Sequence, residues 1–166
     1  QAVYGVDAFA VDVEVDVVRA PEAVFNIVGL PDAAVKESKD RVRAALTNSN
    51  YFCPNARVTV NLAPADMRKE GPSLDLPIAI GLLAANGRVS PDRLRGVCTW
   101  GELGLDGSVK SVAGVLPLTL GARASGFATV MVPADNAAEA AVVDGVDVIP
   151  VTGLADAVGF LNGDAA

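Results

Sequence analysis

Hydrophobic and polar residues alternate most clearly in the first part of the chain. Segment 11–17 places valines at every second position and Asp12, Glu14 and Asp16 between them, which predicts a half-buried strand. A short strand is predicted at 25–28, and segment 57–62 alternates again and predicts another strand. Later in the chain, strands are expected at 129–132 and 146–151. The dipeptide Asp106-Gly107 predicts the tight turn of a hairpin within 99–110.

A helical period appears between these strands. Pro31 and Asp32 suit the start of a helix, which is predicted to run to about residue 47 with positions 35, 38, 42, 45 and 46 on its buried face. Segment 74–85 is apolar almost all round, so it is expected to be a buried helix. Further helices are predicted over 115–125, 136–143 and 155–161. The predicted strands come first along the chain, and helices and strands alternate later. This order indicates an α/β (α+β) fold with one mixed sheet and helices packed against it.

Composition narrows the class of protein. The chain has 166 residues, 51% of them hydrophobic and 5% aromatic, enough for one domain with a real core. We expect the domain to span 1–161, with 162–166 as a linker or terminal tail. The sequence shows no apolar run long enough for a membrane span and no signal peptide pattern. Cys53 and Cys98 lie apart in apolar contexts and are interpreted as reduced core residues of a cytoplasmic protein.

Charge is unevenly distributed along the chain. The net charge is −7, yet residues 32–70 carry seven bases and five acids. That region is the one part of the sequence that favours an anionic partner, and its candidate contact residues are Lys36, Lys39, Arg41, Arg43, Arg68 and Lys69. Glu37 and Asp40 are interleaved with these bases, so ordinary surface pairing is the competing interpretation. The acidic balance argues against binding nucleic acid by bulk charge.

Several kinds of catalytic or binding site are excluded or disfavoured. The chain has no histidine, which removes histidine triads and histidine metal sites. Gly121 and Gly126 have P-loop spacing, but Phe127 and Ala128 replace the lysine and the hydroxyl, so both glycines are interpreted as packing and helix-end residues. The acids of 12–16 could face a divalent cation, although a solvated or arginine-paired strand face is the simpler reading.

Ser73 is the candidate nucleophile. It lies on the turn between a strand and the apolar helix, where side chains and helix-start amides are exposed. Without histidine its base would have to be a lysine, as in Ser–Lys dyads. The competing interpretation is that Ser73 is the N-cap of the following helix.

Five segments together resemble a known family. They are VEVDV at 13–17, FNIVGLPDAAVKESKDRVRAAL at 25–46, NLAPADMRKEGPSLDLPIAIGLLAA at 61–85, GELGLDGSVKSVAGVLP at 101–117 and VPADNAAEAAVVDGVDVIPV at 132–151. In this order they resemble the N-terminal domain of the ComM/YifB family of magnesium-chelatase-like AAA+ ATPases. The resemblance implies a fold like that of the Lon protease domain, shared with a ribosomal-protein domain.

The resemblance also bears on Ser73. EGPS places Ser73 at the position of the Lon nucleophile, while Leu116 occupies the position of the partner lysine, so the dyad is broken. Lys110 lies six residues earlier and is not expected to substitute. The resemblance therefore implies a vestigial Ser73, no peptidase activity and no cofactor in this chain. The alternatives are a Lon-like peptidase with an unorthodox base and an oligomerisation module.

For the whole protein, the resemblance implies an AAA+ module outside this chain that binds ATP and Mg²⁺. Partners would be that module and the neighbouring subunits of a hexamer, with DNA as a further partner and no membrane. Family members are implicated in natural transformation, where the ATPase drives branch migration of incoming DNA.

Overall fold

The computed structural model describes residues 3–51, 55–67, 69 and 71–163, and its centre is a seven-stranded mixed sheet. The strands of this sheet lie in the order β3-β4-β2-β1-β5-β8-β9. A separate two-stranded ribbon consists of β6 and β7. The strand bounds are β1 Val3–Ala8, β2 Val11–Arg19, β3 Val24–Val28, β4 Ala56–Ala63, β5 Val97–Thr99, β6 Glu102–Leu103, β7 Val109–Lys110, β8 Thr129–Pro133 and β9 Asp147–Val151.

The first half of the main sheet contains the antiparallel pairs and the second half is parallel. β2 pairs antiparallel with both β1 and β4, whereas β3 runs parallel to β4. β1 continues into the parallel series β5, β8 and β9. The predicted mixed sheet is confirmed. β1 was not predicted, although it lies at the centre of the sheet between β2 and β5.

Six helices connect and cover these strands in the described part of the chain. Their bounds are α1 Ala33–Lys36, α2 Ser38–Asn48, α3 Asp75–Ala85, α4 Val115–Ala124, α5 Ala137–Ala140 and α6 Leu154–Leu161. Short 3-10 turns lie at Pro72–Leu74, Pro91–Leu94 and Ala134–Asn136. The longest helices have 11 residues, and none in the described residues has the length and apolar character needed to span a bilayer.

The core forms where α3 packs on β1 and β2. Ten of the eleven α3 residues are buried, because the helix lies between the sheet and α2. Gly81 allows the close approach, since a Cβ there would lie 2.4 Å from a methyl carbon of Val15. The alternation of segment 11–17 is confirmed, since Val13 and Val15 are fully buried.

Two local predictions need correction. The predicted helix over 31–47 is two helices, because Glu37 ends α1 and precedes α2. The hairpin exists, but its strands are β6 and β7, and the segment at 97–99 joins the main sheet instead. Its turn spans 104–108, and Gly107 takes a φ of 90°, as the turn signal predicted.

Candidate functional site at Ser73

Ser73 lies in a 3-10 turn that precedes α3, and the turn is fixed by the backbone around it. Gly71 begins this turn with a φ of 79°. The Ser73 carbonyl accepts a hydrogen bond from Gly101 N at 2.9 Å, and Leu76 N donates to the Gly101 carbonyl at 3.0 Å. The predicted N-cap role of Ser73 is wrong: Leu74 occupies the position before α3, and no side chain caps the helix. The 3-10 turn satisfies amides that a cap would otherwise bind.

Asp32 holds the other side of this turn. Its carboxylate accepts from Val35 N at 2.8 Å, which caps α1, and from Gly71 N at 3.1 Å. One side chain therefore fixes the start of α1 against the start of the Ser73 turn. Asp32 was predicted to lie at the start of the helix itself, whereas it is the N-cap of α1.

A cleft of about 450 Å³ opens beside Ser73. Its lining includes Asp32, Gly71, Ser73, Glu102, Ser111 and Val112. Among the described residues of that lining there is no lysine or arginine. The ionisable side chains of the described lining are Asp32 and Glu102, so this part of the cleft offers no lysine to activate the Ser73 hydroxyl.

The lysines nearest in sequence are engaged or placed elsewhere. Lys110 lies on β7 opposite Glu102, and it does not line the cleft. Leu116 lies in the first turn of α4, where its amide donates to a Glu139 oxygen at 2.9 Å. Helix α4 thus presents a leucine, which cannot take a proton, at the position that the resemblance assigns to the lysine.

Asp75 is a buried site residue whose role the sequence analysis missed. Its carboxylate accepts from Ser38 Oγ at 2.5 Å, from Arg41 Nε at 2.6 Å and from Leu103 N at 3.0 Å. Asp75 thereby joins α2, α3 and β6 directly beneath the Ser73 turn. The sequence signal that could have identified Asp75 is a single acid at the start of an otherwise apolar helix, because a buried carboxylate requires hydrogen-bonding or cationic partners.

The candidate contact residues fall into two groups. Lys36, Lys39 and Arg43 are exposed on α1 and α2, and the Arg43 guanidinium lies 5.6 Å from the centre of the Phe25 ring. These three form what we term the α1–α2 basic face. Arg68 lies outside the described residues, so its position is not assigned. A contact role for the basic face and for Arg68 stays a prediction.

Lys69 and Arg41 are corrections to the expected contact surface. Lys69 is 2% exposed, its backbone pairs with Leu30 and Asp32, and its ammonium donates to the Pro64 carbonyl. Arg41 is bound to Asp75, and that hydrogen bond raises the pKa of Arg41 despite the opposing effect of burial. Both cations serve internal contacts, which sequence spacing alone could not show.

The remaining candidate features are structural. Gly121 lies in α4 against the Phe9 ring and Gly126 ends that helix with a φ of 94°, as predicted for packing and helix-end glycines. Cys98 is buried with a free thiol, as predicted, whereas Cys53 lies outside the described residues. Glu14 accepts from Asn61 at 2.6 Å. No group of three or more acidic or cysteine ligands in the described part could hold a metal ion.

Comparison with known proteins agrees with this architecture. A family model described as "Subunit ChlI of Mg-chelatase" matches residues 13–136. The chain belongs to this ChlI family. The ChlI-family chain is 42% identical to Competence protein ComM of Haemophilus influenzae over 163 residues, covering 98% of the chain and 32% of ComM. It is 39% identical to the uncharacterized protein YifB of Escherichia coli over 166 residues, again with 32% of the relative covered.

A more distant relative is informative about the cleft. The ChlI-family chain is 27% identical over 167 residues to Lon protease 2 of Bacillus subtilis, covering 90% of the chain and 30% of that protease. In all three comparisons the chain spans about a third of the relative's length. The similarity to this protease extends over a region that includes Ser73. The residues that line the Ser73 cleft therefore bear directly on whether the domain could act as a peptidase.

Proposed function

We propose that this domain is a non-catalytic accessory domain of a ComM/YifB-like ATPase. The observation that supports it is the Ser73 cleft, whose described lining offers no lysine, while Leu116 stands at the position of the Lon lysine. A serine hydroxyl without the lysine of a Ser–Lys dyad is a poor nucleophile at neutral pH. The turn that carries Ser73 is instead built into the packing of α1, α3 and β6.

A peptidase assay tests this proposal. Full-length protein is incubated with ATP, Mg²⁺ and either casein or a fluorogenic peptide, and compared with its Ser73→Ala variant. We expect both proteins to show the same background cleavage. Cleavage by the wild type that disappears in Ser73→Ala would favour the alternative, a Lon-like peptidase with an unorthodox base.

For the whole protein, we propose an ATP-driven motor for DNA branch migration in natural transformation and recombination. The support is the printed name of the ComM relative, a competence protein, together with the family resemblance. ATP and Mg²⁺ would bind in an ATPase module outside this chain, which spans 32% of the ComM relative. The partners of the domain would be that ATPase module and the neighbouring subunits of a hexamer in the cytoplasm. Contacts with those subunits would also be made by an oligomerisation module, which is the alternative function of the domain.

Within such a motor, the α1–α2 basic face is the proposed DNA contact. Its three cations are exposed, whereas Arg41 and Lys69 are bound internally. Because each phosphate contact contributes about one unit to the salt dependence of binding, reversal of Lys36, Lys39 and Arg43 to glutamate should lower that slope. Reversal of three other exposed arginines, Arg88, Arg93 and Arg95, is the charge-matched control. Equal DNA affinity and branch migration in both triple variants would remove this face from the proposal.

A further inference from the structure

Two aspartates face each other across the β1–β2 hairpin. Asp7 and Asp12 are directly paired in the antiparallel register, one position before the tip that joins the strands. Both side chains line a cavity of about 300 Å³ together with Phe9, Ala63, Ser125 and Phe127. Cross-strand partners on one face have Cβ atoms roughly 5 Å apart, so two ionised carboxylates at these positions repel each other.

Other groups around the pair do not neutralise this repulsion. β4 contributes Ala63 opposite Asp12, and the described residues of the cavity lining include no lysine or arginine. Glu14, two residues along β2, adds a further carboxyl and is bound to Asn61. From β5, Cys98 pairs with Asp7 in the sheet, and burial, with smaller contributions from the two aspartates, raises the pKa of its thiol to about 12. Cys98 is therefore neutral at physiological pH.

A shared proton resolves the repulsion. Burial, the hydrogen bond to Asp12 and the Asp12 charge together raise the pKa of Asp7 from 3.8 to about 6. The folded protein thus retains a proton at pH values where an unfolded Asp7 has lost it. The stabilisation from the protonated pair is present below pH 4 and is lost as the pH rises through 6.

The hairpin tip connects this pair to α4. Phe9 lies in the tip between the two strands, next to Ala10 with a φ of 70°. The Phe9 ring fills the space that the absent side chain of Gly121 leaves on α4, since a Cβ there would lie 2.2 Å from the ring. Separation of the two strands at Asp7 and Asp12 would therefore also withdraw Phe9 from α4.

We propose that Asp7 and Asp12 form a proton-operated clasp, which holds the β1–β2 tip against α4 while Asp7 carries a proton shared with Asp12 and releases the tip when Asp7 ionises. The clasp is a conformational device that is independent of the proposed accessory function. It makes the attachment of Phe9, rather than the core around α3, sensitive to pH near 6.

Hydrogen exchange of the full-length protein tests the clasp. Peptides covering the tip, residues 8–11, are measured at pH 5.0 and pH 7.5 by mass spectrometry, after correction for the intrinsic pH dependence of exchange. We expect the protection of the tip amides in the wild type to be up to about tenfold lower at pH 7.5 than at pH 5.0, because a pH one unit below a pKa corresponds to a tenfold excess of the protonated form. Screening of exposed charges by solvent makes tenfold the upper limit. In Asp12→Asn, which removes the repelling charge, the change in protection between the two pH values should be smaller than in the wild type, because burial still raises the pKa of Asp7.

Glu14→Gln is the matched control, since it removes one charge from the same face of β2. It should keep the pH-dependent change of the wild type. The proposal is overturned if the wild-type tip shows no change between the two pH values, or if Asp12→Asn retains the full change.

Discussion

Asp75 and Arg41 form an ion pair that joins the first turn of α3 to α2, with Arg41 Nε 2.6 Å from Asp75 Oδ2. The Asp75 side chain is fully buried and that of Arg41 is 19% exposed. Ser38 and the Leu103 amide bind the same carboxylate. This arrangement fixes the helices beneath the Ser73 turn, so the turn is held by buried polar contacts and not only by apolar packing.

Removal of the Asp75 carboxylate should destabilise the domain strongly. Asp75→Ala leaves a largely buried guanidinium and a buried hydroxyl without their acceptor, a change that typically costs about 3–5 kcal/mol. Urea unfolding of the chain, followed by fluorescence of its single tryptophan, Trp100, measures the loss. Asp92→Ala is the control, because the Asp92–Arg95 pair is exposed and its loss should change stability by less than about 0.5 kcal/mol. Equal stability of the two variants would contradict the role given to Asp75.

Gly29 is required by a close backbone approach near the cleft. Its φ is 105°, and a Cβ there would lie 2.2 Å from the Leu62 carbonyl oxygen. Gly29→Ala should therefore cost more than about 2 kcal/mol of unfolding free energy, since backbone strain and a backbone clash add. Gly96→Ala is the matched control: Gly96 also has a positive φ, 73°, but open space around it, so only the conformational cost of about 1 kcal/mol is expected. Similar losses in both variants would show that β4 moves to accept the methyl group.

Cys98 should react slowly with thiol reagents in the native state. Burial raises the pKa of its thiol to about 12, so little thiolate exists at pH 8, and the side chain is also fully buried. Peptide-resolved mass spectrometry after iodoacetamide treatment at pH 8 should show Cys98 labelled only after denaturant is added. Labelling of native Cys98 at the rate of a free exposed thiol would contradict its placement in β5.

Sequence patterning predicted those elements whose burial follows from local periodicity. The alternation around Val13 and Val15 identified β2, because one face of that strand is buried, and the apolar run from 74 to 85 identified α3, because that helix is buried on nearly all sides. β1 escaped notice, since Gly5 interrupts its apolar pattern and the strand is stabilised by pairing with β2 and β5. Nonlocal pairing of that kind leaves little signal in the strand's own sequence.

The candidate site was predicted in part for the same reason. Ser73 was correctly placed on the turn before α3, but the 3-10 turn that replaces its cap depends on Gly101, which is distant in sequence. Lys69 looked like a surface base beside Arg68 because the sequence shows only its charge. Its burial results from pairing with Leu30 and Asp32 and from the Pro64 carbonyl, contacts that exist only after β3 and β4 have come together.

The central claim, that this domain is non-catalytic, is tested most directly by measuring whether Ser73 can act as a nucleophile. A peptidyl boronate adds reversibly to an activated serine hydroxyl and converts its boron from trigonal to tetrahedral, which boron NMR distinguishes. With full-length protein, ATP and Mg²⁺, a serine without the lysine of the dyad should give no tetrahedral signal beyond that of Ser73→Ala. A tetrahedral signal in the wild type that is absent in Ser73→Ala would contradict the assignment of this domain as non-catalytic.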